Sequence, residues 1–403
     1  MSRKQIELES ISLGDIKMGP PQVLGGVRLV PLLRDDVRED LRLTRRNYGE
    51  DIAAVNLTGN MSYCSFVPHA LVADWTGDGT PVAAFGAQTS SRKPPKTTDG
   101  TVHDFGFATA RILPKMRAKE ARQRLRFLPL NMAMEGFLSL HFGGPSIAWE
   151  EYSRSMFQNG LGSRSENTIS GRWVCGLEDA LRVFEIHQNQ VGVLVFVGDA
   201  LASIFVVPHP DDYRDLHGTL ITDMFGELIY IYGLSSQENV YHPQPIDANK
   251  VESVEDLRRE LDQVRDDWSE LHQIMTTKLI DCTIHAERIY KMGPFQMQRF
   301  ITDLDPNSEN HIGEHIVRAD GRLEYMKSFR LSGAQTRRAY LLSQLAKSDW
   351  NLDACAKELN CSKNQLVFRL EKAGFGYFVH QHVLDAARAE KRRRSRWSRA
   401  SPT

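Results

Sequence analysis

The residues best equipped for chemistry lie near the C-terminus. In the run NLDACAKELNCSKNQLVFRLEKAG, Asn351 to Gly374, the residues Lys363, Asn364, Gln365, Arg369 and Lys372 share the outward side of one short predicted helix. Lysine and arginine donate to phosphate oxygens. Asparagine, glutamine and arginine can also pair bidentately with base edges in a major groove. That chemistry is recognition of double-stranded DNA rather than bond breaking. A second cationic group follows in AEKRRRSRWSR, where Arg392, Arg393 and Arg394 stand in a row. A tail of this kind adds phosphate contacts. Its alternative reading is a solvated terminus.

Two predicted helices must position these side chains. Counting from Leu352, the residues Cys355, Ala356 and Leu359 fall on the inner face of the first helix. Ala356 stands where two crossing helices come closest. Asn360 occupies the turn, a place that needs a positive φ, which asparagine tolerates better than most residues. Ser362 is suited to cap the second helix, and Leu366 and Leu370 bury its inner side. The run SKNQLVFRLEKAG resembles the helix-turn-helix of Fis and NtrC-type activators. That resemblance implies DNA-facing roles for Lys363, Asn364 and Arg369. Phe368 departs from it, because a basic residue is usual there. The alternative is a helical pair used for protein contact alone.

Charge is divided along the chain. The formal net charge is −1. From Arg330 to Thr403 there are 15 Lys/Arg against 6 Asp/Glu, which leaves 35 basic and 45 acidic residues in the rest. An acidic body with a cationic end places any nucleic-acid contact at the C-terminal end.

The rest of the chain reads as α+β: a mixed sheet-and-helix N-terminal domain over 1–240, a heptad helix and hairpin connector over 241–330, and the helix-turn-helix with its basic tail over 331–403. Residues up to about 113 are strand-rich, and helical pattern follows in segments such as KMRAKEARQRL. A β-β-α run then places strands at Val191 to Val197 and Leu201 to Val207 and a helix from Pro210 to about Tyr232. Further on, Val254, Leu257, Leu261, Val264, Trp268, Leu271 and Met275 recur in steps of three and four. That heptad seam predicts homodimerisation through Leu257, Leu261, Val264, Trp268 and Leu271. An antiparallel helix pair within one chain is the alternative.

Two histidine motifs could hold a metal ion or serve a hydrolase. VVPHPDDY resembles the PHPDDE signature of zinc-dependent N-acetylglucosaminyl deacetylases, which makes His209 and Asp212 the candidate ligands. Tyr213 stands where that signature has glutamate, and no H-x-x-H follows. The bland reading is a helix start whose carboxylates complement the dipole. HIGEH, His311 to His315, matches an inverted zincin pattern. That motif needs a helix, whereas Gly313 and the adjoining IVRADGRLEYM argue for strand or loop. Five scattered cysteines without a C-x-x-C pair imply free thiols in a reducing cytoplasm. No signal peptide, membrane helix, P-loop or G-x-G-x-x-G is evident, so no membrane association and no cofactor is expected.

ISLGDIKMGPPQVLGGVRLVPLL and NQVGVLVFVGDALASIFVVPHPDDYRDLHGTLITDMFGELIY resemble the two ends of a bacterial domain. That domain is named for its association with ADP-ribosylglycohydrolases and rhodanese-phosphatases, and the likeness spans about Ile11 to Tyr232. It implies a sensory or interaction module near ADP-ribose and nucleotide metabolism or bacterial defence, answering to a small-molecule or protein effector. It supplies no catalytic residues. The expectation is a dimeric, DNA-binding transcriptional regulator; a zinc hydrolase and a protein-interaction scaffold are the rivals.

Overall fold

Runs such as VRLVPLL and QVGVLVFV are buried along almost their whole length, because successive side chains point to opposite faces and both faces are covered. In the computed structural model the described residues are 7–47, 53–56, 62–65, 69–75, 88–91, 110–113, 119–121, 124–127, 142, 184–220, 225–234, 246–305 and 307–400. The strands are β1 (Glu7–Ser10), β2 (Lys17–Met18), β3 (Gln22–Leu24), β4 (Val27–Leu33), β5 (Leu41–Asn47), β6 (Ala53–Asn56), β7 (Ser62–Ser65), β8 (His69–Trp75) and β9 (Gln88–Ser91). They continue as β10 (Ala110–Leu113), β11 (Lys119–Ala121), β12 (Arg124–Phe127), β13 (Gln190–Val197), β14 (Ala200–Val206), β15 (Thr283–Met292), β16 (Phe295–Thr302), β17 (Asn310–Arg318) and β18 (Leu323–Leu331). The helices are α1 (Pro210–Thr219), α2 (Val254–Thr276), α3 (Gly333–Lys347), α4 (Leu352–Glu358), α5 (Lys363–Lys372) and α6 (Gln381–Ala400). The fold class is α+β.

One antiparallel sheet dominates, with strand order β1-β15-β16-β17-β18-β14-β13-β4-β2 and β3 also paired to β4. It joins strands from 7–33, 190–206 and 283–331. Strands from both sides of residue 240 therefore share one sheet, and its last strand ends at Leu331. The connector hairpins β15–β18 are interior strands of it, lying between β1 and β14. The helix expected from Pro210 to about Tyr232 is instead α1, then a short turn at Gly226–Leu228 and a π-helical segment at Ile229–Leu234. The helical pattern expected in KMRAKEARQRL gives way to β11 and β12, which extend a second sheet of order β11-β12-β8-β5.

Three parallel rows run across one face of the large sheet. Met297, Ile316 and Tyr325 face one another across β16, β17 and β18, and Ile301, Ile312 and Phe329 do the same four residues away along β16. Between them lies a row of alternating charge: Glu287, Arg299, Glu314, Lys327 and then Phe205 in successive strands. The first apolar row joins a core with α1, Trp75 and Phe225. The second joins a core with the C-terminal helices, including Leu342, Ala356, Leu366 and Leu370. The C-terminal helices thus share their core with the sheet rather than hanging from it.

The four charged residues of the dividing row are at most 4 % exposed. Arg299 Nε donates to Glu287 Oε2 at 2.8 Å, and Tyr325 donates to Glu314 at 2.8 Å. Lys327 Nζ lies 4.8 Å from the Phe329 ring centroid and 5.5 Å from that of Phe225. Burial pushes the Lys327 ammonium well below its ordinary range, against the attraction of Glu314.

The other face packs Ile204, Phe196, Ile284 and Phe300 against Ile11, Leu13, Leu279 and the C-terminal half of α2. There Arg28 is fully buried, its guanidinium 5.1 Å from the Phe196 centroid and 5.0 Å from that of Trp268. His272 stacks on both of those rings.

Candidate nucleic-acid interface

Capping fixes the helix pair that carries the candidate residues. Asn351 accepts from the backbone N–H groups of Asp353 and Ala354, starting α4. Asn360 takes φ 48° in the turn, and Gly374 takes φ 85° after α5. Ser362 and Gln365 form a reciprocal capping box at the start of α5. Cys355, Ala356, Leu366, Val367 and Leu370 are buried between the helices and the sheet.

The five candidates on α5 do not share one open face. Gln365, Arg369 and Lys372 follow one another at helical spacing on an exposed stripe. Arg369 and Lys372 have no ion pair among the described residues, and Gln365 uses its carbonyl on the Ser362 N–H at 2.9 Å, leaving its NH2 group outward. Lys363 is exposed but pairs with Asp353 at 2.8 Å. Asn364 turns away: it donates to Glu390 of α6. Expected as a base reader, it serves instead to hold two helices together.

That second helix is what sequence reasoning missed. The basic tail is helical as far as Ala400, not a loose terminus. It lies along the α5 flank made by Asn364, Phe368 and Glu371. Lys391 Nζ stands 3.7 Å from the Phe368 ring centroid, and Arg388 pairs with Glu371. Phe368, the departure from the resembled pattern, was the available signal: an aromatic ring on the polar side of α5 requires a neighbour to cover it. Arg392 is exposed on α6. Arg393 and Arg394 belong to α6, with side chains outside the described residues.

The dimerisation candidates divide along α2. Leu257 and Leu261 are 39 % and 38 % exposed, whereas Trp268 is 8 % exposed and held in the Arg28–Phe196–His272 stack. Val264 and Leu271 are half-buried. Trp268 therefore packs within its own chain, because the lower half of the seam meets the sheet.

The metal candidates are structural. His209 caps α1, accepting from the Asp211 N–H at 3.1 Å, and its Nε2 lies 3.0 Å from Glu39. Asp212 is buried and accepts from Arg42 at 2.8 Å and from the Leu43 N–H at 2.8 Å, which fastens α1 to β5. HIGEH lies on β17, so His311 and His315 stand four positions apart along a strand and do not share a helical turn. Gly313 between them leaves room for Phe300, on which His315 stacks. Burial pushes His311 and His315 down to about 3. Among the described residues no group of three or more His, Cys, Asp or Glu could hold a metal ion, and no helix is long and apolar enough to cross a membrane.

The sequence matches the ARPP-2 family over residues 11–293, more than half of its length. The chain belongs to the ARPP-2 family. No curated protein matches this chain, and no solved structure does. Both resemblances drawn from the sequence are corrected: ARPP-2 matches, and no ADP-ribosylglycohydrolase, rhodanese or Fis-type helix-turn-helix family does. The ARPP-2 segment also runs past Tyr232 through α2 and β15, consistent with a sheet that does not end near 240.

Proposed function

We propose that this chain is a DNA-binding regulator of the cytoplasm whose C-terminal helices contact duplex DNA and whose sheet body governs that contact. The observation that carries the reading is the open stripe of Gln365, Arg369 and Lys372 on the second helix of a capped helix pair. Arg369 can address the O6 and N7 acceptors of guanine, and Lys372 a phosphate. The cationic helix α6 lies beside α5 and supplies further phosphate contacts. The acidic remainder of the chain repels the duplex and confines it to this end. Because the helices share a core with Ile301, Ile312 and Leu331 of the sheet, a change in the sheet is transmitted to α5 without a linker.

Retardation of genomic DNA fragments by the full chain, measured across a salt series, tests this. Binding that steepens at low salt, loses sequence preference in Arg369→Ala and loses salt slope on removal of 391–399 is the expected result. Absence of retardation at low salt overturns it in favour of a protein-interaction scaffold.

A further inference from the structure

The upper half of α2 carries a seam that its own chain leaves open. Val254, Leu257 and Leu261 are 68 %, 39 % and 38 % exposed, and all three lie above the point where Trp268 and His272 enter the sheet packing. Ser253 and Asp256 cap this end with a reciprocal box, so the helix is firmly started there rather than frayed. Steps of three and four residues make Val254, Leu261 and Trp268 the a positions of a heptad and Leu257 and Val264 the d positions.

The flanks of that seam are sorted by charge. The g positions next to it are Glu260 and Asp267, and the e positions are Arg258 and Arg265. Charges at e and g set the partner and direction of a coiled coil. In a parallel, in-register pair each g residue meets the e residue five places on in the other helix. Glu260 then faces Arg265 of the second copy, twice by symmetry. In an antiparallel pair g meets g and e meets e, which sets acid against acid and arginine against arginine. Arg265 is free to make the exchange, since its only ion pair among the described residues is with exposed Asp262 on its own helix.

We infer that residues 254–265 of α2 pair with the same segment of a second copy of this chain as a short parallel coiled coil, Glu260 facing Arg265 across the seam. The seam is shorter than three heptads, so the pairing is reversible and concentration-dependent. Trp268 and Leu271 lie outside it, because the stack on Arg28 and Phe196 holds that part of the helix in its own chain.

Sedimentation equilibrium of the full chain, from about 1 to 100 μM at low salt, reads the pairing directly. The expected result is a monomer–dimer equilibrium. Leu261→Glu is expected to leave only monomer at every concentration, with unchanged circular dichroism. Arg265→Glu is expected to weaken dimerisation about tenfold or more, and the double change Glu260→Arg with Arg265→Glu to restore it. Monomer throughout for the unaltered chain overturns the inference. So does a dimer indifferent to Leu261→Glu, which would pair elsewhere. A dimer that Leu261→Glu abolishes but that Arg265→Glu leaves unchanged overturns the parallel register. None of these readouts involves DNA.

Discussion

At the scale of single residues, the position of a side chain around its helix decides what it can do. Arg369 lies on the open stripe of α5, and Asn364, five residues earlier, is turned to Glu390. Arg369→Ala is expected to cost about 1–3 kcal/mol of discrimination at one base pair, read as a flattened preference among bound fragments. Asn364→Ala is expected to leave base preference intact and to lower the melting temperature instead, since it removes a link between α5 and α6. Loss of preference in Asn364→Ala with none in Arg369→Ala would reverse these roles. The same logic explains HIGEH. A Cβ on Gly313 would meet the Lys327 carbonyl at 2.4 Å and the Phe300 ring at 2.6 Å, so Gly313→Ala is expected to destabilise the fold by about 1–3 kcal/mol, measured by urea denaturation. The sequence disclosed the types of these residues and the capping of α5. It did not disclose which flank α6 would cover, because that depends on a helix whose composition reads equally well as a free basic tail.

At the scale of elements, α2 shows how one pattern serves two partners. Apolar residues three and four apart mark any helix with a buried stripe, whether it meets its own sheet or another copy. Here the stripe does the first below Val264 and stays open above it. The sheet-bound half depends on Trp268, which packs with His272 and the buried Arg28 guanidinium. Trp268→Ala is expected to cost about 3–5 kcal/mol, with the loss seen in urea melts. It is also expected to take from Arg28 one of the two rings that face its guanidinium, whose Nε and Nη1 have no hydrogen-bond partner among the described residues. A cost below about 1 kcal/mol would show that the stack does not hold α2. Sequence periodicity found this helix readily. The sheet beneath it was harder to read, because β15–β18 pair with β14 and β1 from distant parts of the chain, and pairing between strands so far apart leaves no local signature.

At the scale of the whole molecule, the large sheet buries several histidines that must stay neutral. Burial pushes His217 and His272 down to about 4, and His311 and His315 down to about 3. Free histidine titrates near 6.5. Below that pH the unfolded chain takes up protons that the folded chain refuses, so their contribution is fully present above about pH 6.5 and is lost as pH falls towards 4 and then 3. Each such histidine removes about 1.4 kcal/mol per pH unit once its unfolded form is protonated. Four of them would outweigh the usual stability of a domain within about two to three units. Some carboxyls act in the opposite sense. Burial raises Glu324 above its ordinary range, so the folded chain binds that proton first and offsets part of the loss, but only in the carboxylate range, below the pH at which the histidines have begun to act. The net expectation is a steep fall in stability between pH 6.5 and 5. His272 isolates the effect, for neither of its ring nitrogens has a hydrogen-bond partner among the described residues and its role is to stack. His272→Phe keeps a ring between Phe196 and Trp268 and removes one proton from the balance. Urea denaturation at pH 7.5, 6.5, 5.5 and 5.0 is expected to show the variant's slope against pH reduced by about one proton relative to the unaltered chain. Equal slopes would mean that His272 is already protonated in the folded protein, and a neutral imidazole stacked on Phe196 and Trp268 would have to be abandoned.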